Sequence, residues 1–373
     1  MVYAARIATH LKKYLIVYVI LVILIALPIG YYNAGYFKVH KEIIKNVILS
    51  LAIGTLLPSM IQLRSEKMGR ELRFKLKEAI IAIIIIFIIT PLLAMLFASH
   101  IGHRVIGIGY IAANSVPASS ASVAYVMLAG GNIELATVLV ILSILIALFA
   151  APTYVALYAQ SVHISLPVTV LAGSVIIALL FPLILGQIIR YYFIKRKAEK
   201  LARVSKGRLE CTGKNISSAE GDKGVVECLE NKIMKKIKPY LSIWTITFML
   251  ALIGVLIANK AGLLISNPSL ALYIISAQLV IYTTIILSII IASKVLNIGY
   301  RDHMAMAFIS LTKNESVAAT MAVLAIGPTA ALPAALIPAI QPLVATLYIS
   351  IAHTIRRIPV SYTHLTLPTT ERV

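Results

Sequence analysis

Thr312-Lys313-Asn314-Glu315-Ser316 interrupts an otherwise apolar part of the sequence. Met304-Ala305-Met306-Ala307-Phe308 lies just before this segment, and Val317-Ala318-Ala319-Thr320-Met321 follows it. An ionisable side chain at the centre of a hydrocarbon core costs about 2.5–3.5 kcal/mol on insertion scales. A chain that keeps a lysine and a glutamate at this depth is expected to use them, so the segment predicts a functional site inside a membrane-spanning region.

A second polar cluster, Asn114-Ser115-Val116-Pro117-Ala118-Ser119-Ser120-Ala121-Ser122, occupies the corresponding place in the first half of the chain. From Pro117 an apolar run leads to Gly130 thirteen positions later, and Asn314 stands thirteen positions before Gly327. Polar interruptions at matching positions of two halves are typical of secondary transporters built from inverted repeats. The pattern therefore predicts two broken, crossing spans.

The composition places the whole chain in the membrane. Of its 373 residues, 60% are hydrophobic and 13% are charged, and the mean hydropathy is +0.93. A soluble domain of this size could not cover its surface with so few polar groups. The net charge of +20 is concentrated in the segments between apolar stretches, where basic residues set membrane topology. The lipid bilayer is thus an expected partner, and nucleic acid is not.

The apolar stretches are long enough to cross a bilayer as helices, which takes about 20 residues each. They predict an all-α polytopic membrane protein with ten transmembrane helices in two inverted five-helix repeats, 1–158 and 164–357. The fourth and ninth spans are the broken ones. The spans are expected at about 13–33, 43–62, 78–98, 104–130, 133–158, 164–194, 239–259, 269–293, 302–326 and 329–354.

Basic residues concentrate on one side of this arrangement. That side carries the N-terminal segment, the connection after the second span, the central loop 195–238 and Arg356-Arg357. By the positive-inside rule both termini and the central loop are expected in the cytoplasm, with the protein in the cell membrane. Residues 359–373 fit neither a span nor an amphipathic helix, so they are interpreted as a non-native addition or a short disordered tail.

The two clusters contain groups suited to a binding site. Pro117 lacks an N–H and breaks the helical ladder, so the freed backbone groups need partners from protein, ions, water or substrate. Helix packing through small residues and interhelical hydrogen bonds is the alternative interpretation. The candidate substrate- or ion-binding residues are Asn114, Ser115, Pro117, Ser119, Ser120, Ser122, Thr312, Lys313, Asn314, Glu315 and Ser316.

Two interpretations of Lys313 and Glu315 remain open. They form an internal ion pair that only stabilises the break, or they act in coupling, with Glu315 taking up a proton or Lys313 standing in for a bound cation. No HExxH, GxSxG or P-loop motif is present, so an enzyme, a bound cofactor and a protein-held metal are not expected. The oligomeric state is left undetermined.

Three motifs resemble those of the bile acid:sodium symporter family. Pro117 followed by Leu128-Ala129-Gly130-Gly131-Asn132 is similar to its fourth-span signature, and Lys313-Asn314-Glu315-Ser316-Val317-Ala318 to its ninth-span signature. Thr90-Pro91-Leu92-Leu93 resembles its third-span motif. The resemblance covers about 1–357. It implies a panel domain and a core domain with crossed fourth and ninth spans, and transport of a small organic anion, mostly coupled to sodium in this family.

The sequence departs from the family at the positions of the sodium ligands. The family has an adjacent Ser-Asn pair among its sodium ligands, and here only the serine is kept, as Ser122, because Val123 replaces the asparagine. Three further sodium-ligand positions of the family fall at Ala136, Val140 and Ile309. Two glutamines of the family fall near Ile86 and at Lys313. These replacements predict that sodium coupling through the usual sites is lost, so that the coupling ion is H⁺ or Na⁺ held differently. Arsenite or metalloid efflux, found in related carriers, is the alternative function, although no predicted span contains the cysteine typical of it.

Overall fold

The computed structural model describes residues 2–63, 75–119, 121–204 and 221–357. All regular secondary structure in these residues is helical, apart from one isolated antiparallel bridge between Ala118 and Lys313. The interpretations of Ser120, of the basic segment 64–74 and of the tail 359–373 fall outside the described residues.

Eight of the helices in the described part of the chain are long and apolar enough to cross a membrane. Each contains an 18-residue stretch of high mean hydropathy with at most two charged side chains, as expected for helices that face lipid and other helices rather than water. A short helix, α1 (Val2–Lys13), precedes them. The eight are α2 (Leu15–Tyr32), α3 (Lys41–Gln62), α4 (Leu76–Ala98), α7 (Ile133–Ser161), α8 (Thr169–Ala202), α9 (Gly221–Asn259), α10 (Pro268–Val295) and α13 (Leu332–Arg357).

Two further apolar segments are each divided into a pair of short helices. The first pair is α5 (Arg104–Ser115) and α6 (Ser122–Leu128). The second is α11 (Tyr300–Leu311) and α12 (Glu315–Ala325). In both, the helix is interrupted within the polar cluster, so the described residues contain eight continuous candidate spans and two interrupted segments.

The helices form two groups. In the first group α9 packs along α2 and α3, and α8 packs on α3. In the second group α5 contacts α4, α7, α12 and α13, while α11 contacts α6, α7 and α10. The groups meet where α12 lies against α3 and α8 and where α13 lies against α2 and α9. The interrupted segments therefore occupy the interior of the second group, with α12 facing the first.

Close contact within the first group depends on Gly30. A Cβ atom at this position would lie 2.0 Å from the backbone oxygen of Ala258, on the neighbouring helix α9. Only glycine lets the two backbones approach this closely, which is the packing mode favoured by helices in membranes. Helices α2 and α9 are thus held together by backbone contact rather than by bulky side chains.

The segment 195–238, expected to connect two spans, is partly helical where the structure describes it. Helix α8 continues to Ala202 rather than ending near residue 194, and α9 begins at Gly221 rather than near residue 239. Glu230, in the added part of α9, forms a buried ion pair with Arg190 of α8, with 3.1 Å between Arg190 Nη2 and Glu230 Oε2. Arg190 also donates a hydrogen bond to the carbonyl of Ile61 at the end of α3. Glu230, which the sequence placed between spans, therefore helps to hold α9 against α8.

Candidate functional site

The two breaks bind each other through their backbones. The Ser119 N–H donates to the carbonyl of Thr312 over 2.9 Å, and the Asn314 N–H donates to the carbonyl of Pro117 over 2.9 Å. Unwinding two helices exposes backbone groups that lipid cannot satisfy. Each break supplies partners for the other, which explains why two interrupted segments occur together at one crossing point.

Hydroxyl groups complete the crossing. Ser122 and Thr312 are both buried, and their hydroxyl oxygens are hydrogen-bonded to each other. The Thr312 hydroxyl also lies 2.7 Å from the carbonyl of Phe308, one of the carbonyls at the end of α11. On the opposite side, Ser143 of α7 accepts a hydrogen bond from the Ala118 N–H. The local sequence thus combines a proline that prevents a helix with small hydroxyl side chains that bind the resulting free groups.

An amide pair fixes the first half of the interrupted segment. Asn114 and Gln278, on α5 and α10, exchange two hydrogen bonds of 3.1 Å each, and both side chains are buried. The Asn114 amide also donates to the carbonyl of Tyr110. This reciprocal pair uses most of the hydrogen-bonding capacity of both side chains, so Asn114 positions α5 rather than offering a free group to a ligand.

Lys313 points its ammonium group at α4. Its side chain is buried, and Nζ lies 3.1 Å from the carbonyl oxygen of Ile86 and 5.5 Å from the centre of the Phe87 ring. Ile86 belongs to a π-helical turn, Ile85–Ile89, in which backbone carbonyls depart from the regular ladder. The Lys313 backbone N–H donates to Gln341 of α13. A lysine ammonium has three donors, and one of them is used by Ile86.

Glu315 begins α12, and its carboxylate is buried with no hydrogen-bond partner for either oxygen among the described residues. It therefore does not form a hydrogen-bonded pair with Lys313, although only one residue separates them. The N-terminal end of a helix carries a partial positive charge that favours a carboxylate. This effect offsets only part of the cost of burial, so Glu315 needs a partner.

Other oxygen atoms along the interrupted segments are also buried without a partner in the described structure. They are the hydroxyls of Tyr110 and Ser115 on α5 and of Ser310 on α11. Buried polar atoms are normally hydrogen-bonded, and exceptions point to a missing ligand, ion or water. These orphaned groups and Glu315 distinguish the crossing from ordinary helix packing, in which polar atoms satisfy one another.

Eight of the candidate residues fall into three groups by position. The contact between the breaks is formed by Pro117, Ser119, Ser122, Thr312 and Asn314. Asn114 is bound to Gln278, and Ser115 and Glu315 are buried without a side-chain partner among the described residues. Of the other two, Lys313 lies on the α4 side, and the backbone carbonyl of Ser316 accepts a hydrogen bond from the Thr320 hydroxyl within α12. Sequence reasoning missed Gln278, Gln341, Ser143 and the π-helical turn. A glutamine in the middle of an apolar helix is itself a signal that could have identified Gln278 and Gln341.

Three of the positions at which the resemblance places sodium ligands carry hydrocarbon side chains in this fold. Ala136, Val140 and Ile309 are all fully buried. The carbonyl of Ile86, which could have served as a ligand, already accepts the Lys313 ammonium. No group of three or more His, Cys, Asp or Glu side chains suited to a metal ion occurs in the described ranges.

Comparison with known proteins identifies the family of the chain. The profile of the Sodium Bile acid symporter family matches residues 47–267. The chain is also similar to the probable sodium/metabolite cotransporter BASS4, chloroplastic, of Arabidopsis thaliana, with 33% identity over 144 residues. That match covers 38% of this chain and 33% of the plant protein, about a third of its length. With more than half of its residues matched by the family profile, and with two interrupted helices crossing in its interior, this chain belongs to the sodium bile acid symporter family, whose members are membrane transporters and not enzymes.

Proposed function

We propose that this protein moves a small organic anion across the cell membrane by alternating access. The observation that carries the proposal is the crossing of two interrupted helices around a buried lysine, in a chain of the symporter family. Counting each interrupted pair as one span gives ten spans, in two inverted repeats over 1–158 and 164–357. The basic segments then lie in the cytoplasm together with both termini.

The Lys313 ammonium supports an anionic substrate. It is buried at the crossing, and among the described residues the hydrogen bond to Ile86 uses one of its three donors, which leaves two. In a site without water, a positively charged donor binds a carboxylate more strongly than a neutral donor does. The substrate's acidic group would take these two donors, with Phe87 and the α4 turn fixing the direction of the ammonium.

Coupling is proposed to need no sodium ion at the positions used elsewhere in the family. The ammonium of Lys313 lies between the ninth-span break and Ile86, where the resemblance places two glutamines, and it supplies a fixed positive charge there. The hydrocarbon at Ala136, Val140 and Ile309 supports this view. A sodium ion needs several oxygen ligands, and these side chains provide none.

A two-part experiment tests the proposal. Purified protein is first screened by thermal shift against monocarboxylates, dicarboxylates, 2-oxo acids and amino acids, each with sodium or with potassium. The best ligand is then followed into proteoliposomes with and without a sodium gradient. We expect saturable uptake at the same rate under both conditions. Uptake that requires a sodium gradient would refute the coupling proposal, and absence of uptake for every ligand that binds would refute transport.

A further inference from the structure

The crossing contains two buried ionisable side chains, one basic and one acidic, that are not hydrogen-bonded to each other. Lys313 donates to a backbone carbonyl on α4, whereas Glu315 has no hydrogen-bond partner among the described residues. Both residues are at least nine-tenths buried, with exposures of 2% and 8%. Within the described part of the chain, neither side chain therefore has the hydrogen-bonded ionic partner that normally compensates for the burial of a charge.

A Lys313 ammonium and a Glu315 carboxylate together give the crossing no net charge. A simple anion bound to Lys313 would leave one uncompensated negative charge inside the protein, next to the Glu315 carboxylate. Buried net charge is costly in a low-dielectric region. A ligand with an acidic group and a positively charged group adds no net charge and supplies a partner to each side chain.

A neutral, protonated Glu315 would not resolve the problem. A carboxylic acid has an O–H donor and still has an acceptor oxygen, and neither oxygen meets a partner in the described structure. An ammonium group would satisfy both oxygens at once with its several donors. The hydroxyls of Tyr110 and Ser115, both on α5 and both buried without a partner among the described residues, are further possible acceptors for such a group.

We infer that the transported substrate is zwitterionic: its acidic group binds Lys313, and an amino group binds Glu315. This inference rests on the proposed function, keeps the acidic group that binds Lys313, and adds an amino group, so that the substrate class becomes amino-acid-like molecules. The site then discriminates by charge pattern, because an acid without the amino group leaves Glu315 unpaired.

Matched ligand pairs test the inference. Alanine is compared with propionate, leucine with 4-methylpentanoate, and phenylalanine with 3-phenylpropionate, so that each pair differs by the amino group. Binding is measured by calorimetry on the purified protein, and uptake is measured in proteoliposomes. We expect at least one amino acid to bind tenfold or more tightly than its partner acid.

The Glu315→Gln variant supplies the second readout. It keeps the size of the side chain and removes the charge, so the preference for the amino acid should shrink by tenfold or more while the partner acid binds at least as well as before. Glu134→Gln, on an exposed residue in the first turn of α7, is the matched control and should keep the preference.

The possible results separate this inference from the proposed function. One result is that the partner acids bind and are taken up as well as the amino acids, and that their uptake persists in Glu315→Gln with altered pH dependence. Transport of anions is then supported and Glu315 is a proton site. The zwitterion inference is wrong in that case. An unchanged preference for amino acids in Glu315→Gln also contradicts it. Failure of both classes to bind or move refutes both proposals.

Discussion

Replacing Lys313 by methionine is the sharpest single test of the site. Methionine keeps a long, flexible apolar side chain and removes the ammonium that donates to Ile86. A hydrogen bond to a charged group contributes about 1.5–3 kcal/mol. Since 1.4 kcal/mol corresponds to a factor of ten, Lys313→Met should weaken substrate binding by about 10–100-fold.

The same substitution should have little effect on folding, because two effects oppose each other. The variant no longer buries an ammonium, which costs about 2.5–3.5 kcal/mol on insertion scales. It also leaves the Ile86 carbonyl without a donor, which costs about 1–3 kcal/mol. The thermal unfolding midpoint in detergent should therefore change by only a few degrees.

Calorimetry with the ligand from the thermal-shift screen measures the affinity, and uptake into proteoliposomes measures its consequence. Lys294→Met is the matched control, since Lys294 is an exposed residue near the end of α10 and makes no contact with the crossing. Its affinity should equal that of the wild type. A Lys313→Met protein that unfolds at the wild-type temperature and binds ligand within twofold of wild type would show that the ammonium does not hold the substrate.

Two further predictions concern the packing around the site. Gln278→Leu removes one member of the amide pair and leaves Asn114 buried without its partner; it should lower stability by about 1–3 kcal/mol, measured as a lower unfolding midpoint, and an unchanged midpoint would mean that the pair contributes nothing. Gly30→Ala places a methyl group 2.0 Å from the Ala258 oxygen and should cost about 1–3 kcal/mol through overpacking. Its control, Gly173→Ala, meets no atom within 4 Å and should stabilise α8 by about 0.5–1 kcal/mol; equal effects of the two alanines would contradict the close packing of α2 on α9.

The location of the breaks could be predicted from the sequence because hydrocarbon penalises polar residues strongly. Pro117 cannot continue a helix, and Lys313 and Glu315 are costly wherever lipid surrounds them. The helix break and the cost of burying a charge are local effects, so a short segment of sequence is enough to predict them. The structure then places three of the four helix ends within the predicted clusters, at Ser115, Ser122 and Glu315, and the fourth at Leu311, one residue before the second cluster.

The partners of those residues could not be predicted in the same way, because they are set by tertiary packing. The acceptor for Lys313 is a backbone carbonyl in a π-helical turn, and no residue type marks such a carbonyl. Gln278 is hydrogen-bonded to Asn114, although 164 positions separate them in the sequence. Lys313 and Glu315 are two positions apart in the sequence, so an ion pair was one of two interpretations. In the unwound segment, however, Lys313 donates to Ile86, whereas the Glu315 carboxylate has no hydrogen-bond partner among the described residues.

The backbone bonds between the breaks also restrict how the protein can move during transport. Separating the two interrupted segments would leave the N–H groups of Ser119 and Asn314 and the carbonyls of Pro117 and Thr312 without their partners in a dry interior. Each unsatisfied group costs about 1–3 kcal/mol. The segments should therefore move as one body, together with the helices that bind them through Gln278 and Ser143.

The first group is held together separately by the close contact of Gly30 with Ala258 and by the Arg190–Glu230 ion pair. Alternating access is then expected at the boundary where α12 faces α3 and α8, because sliding there exposes the crossing to either side without breaking a buried backbone hydrogen bond.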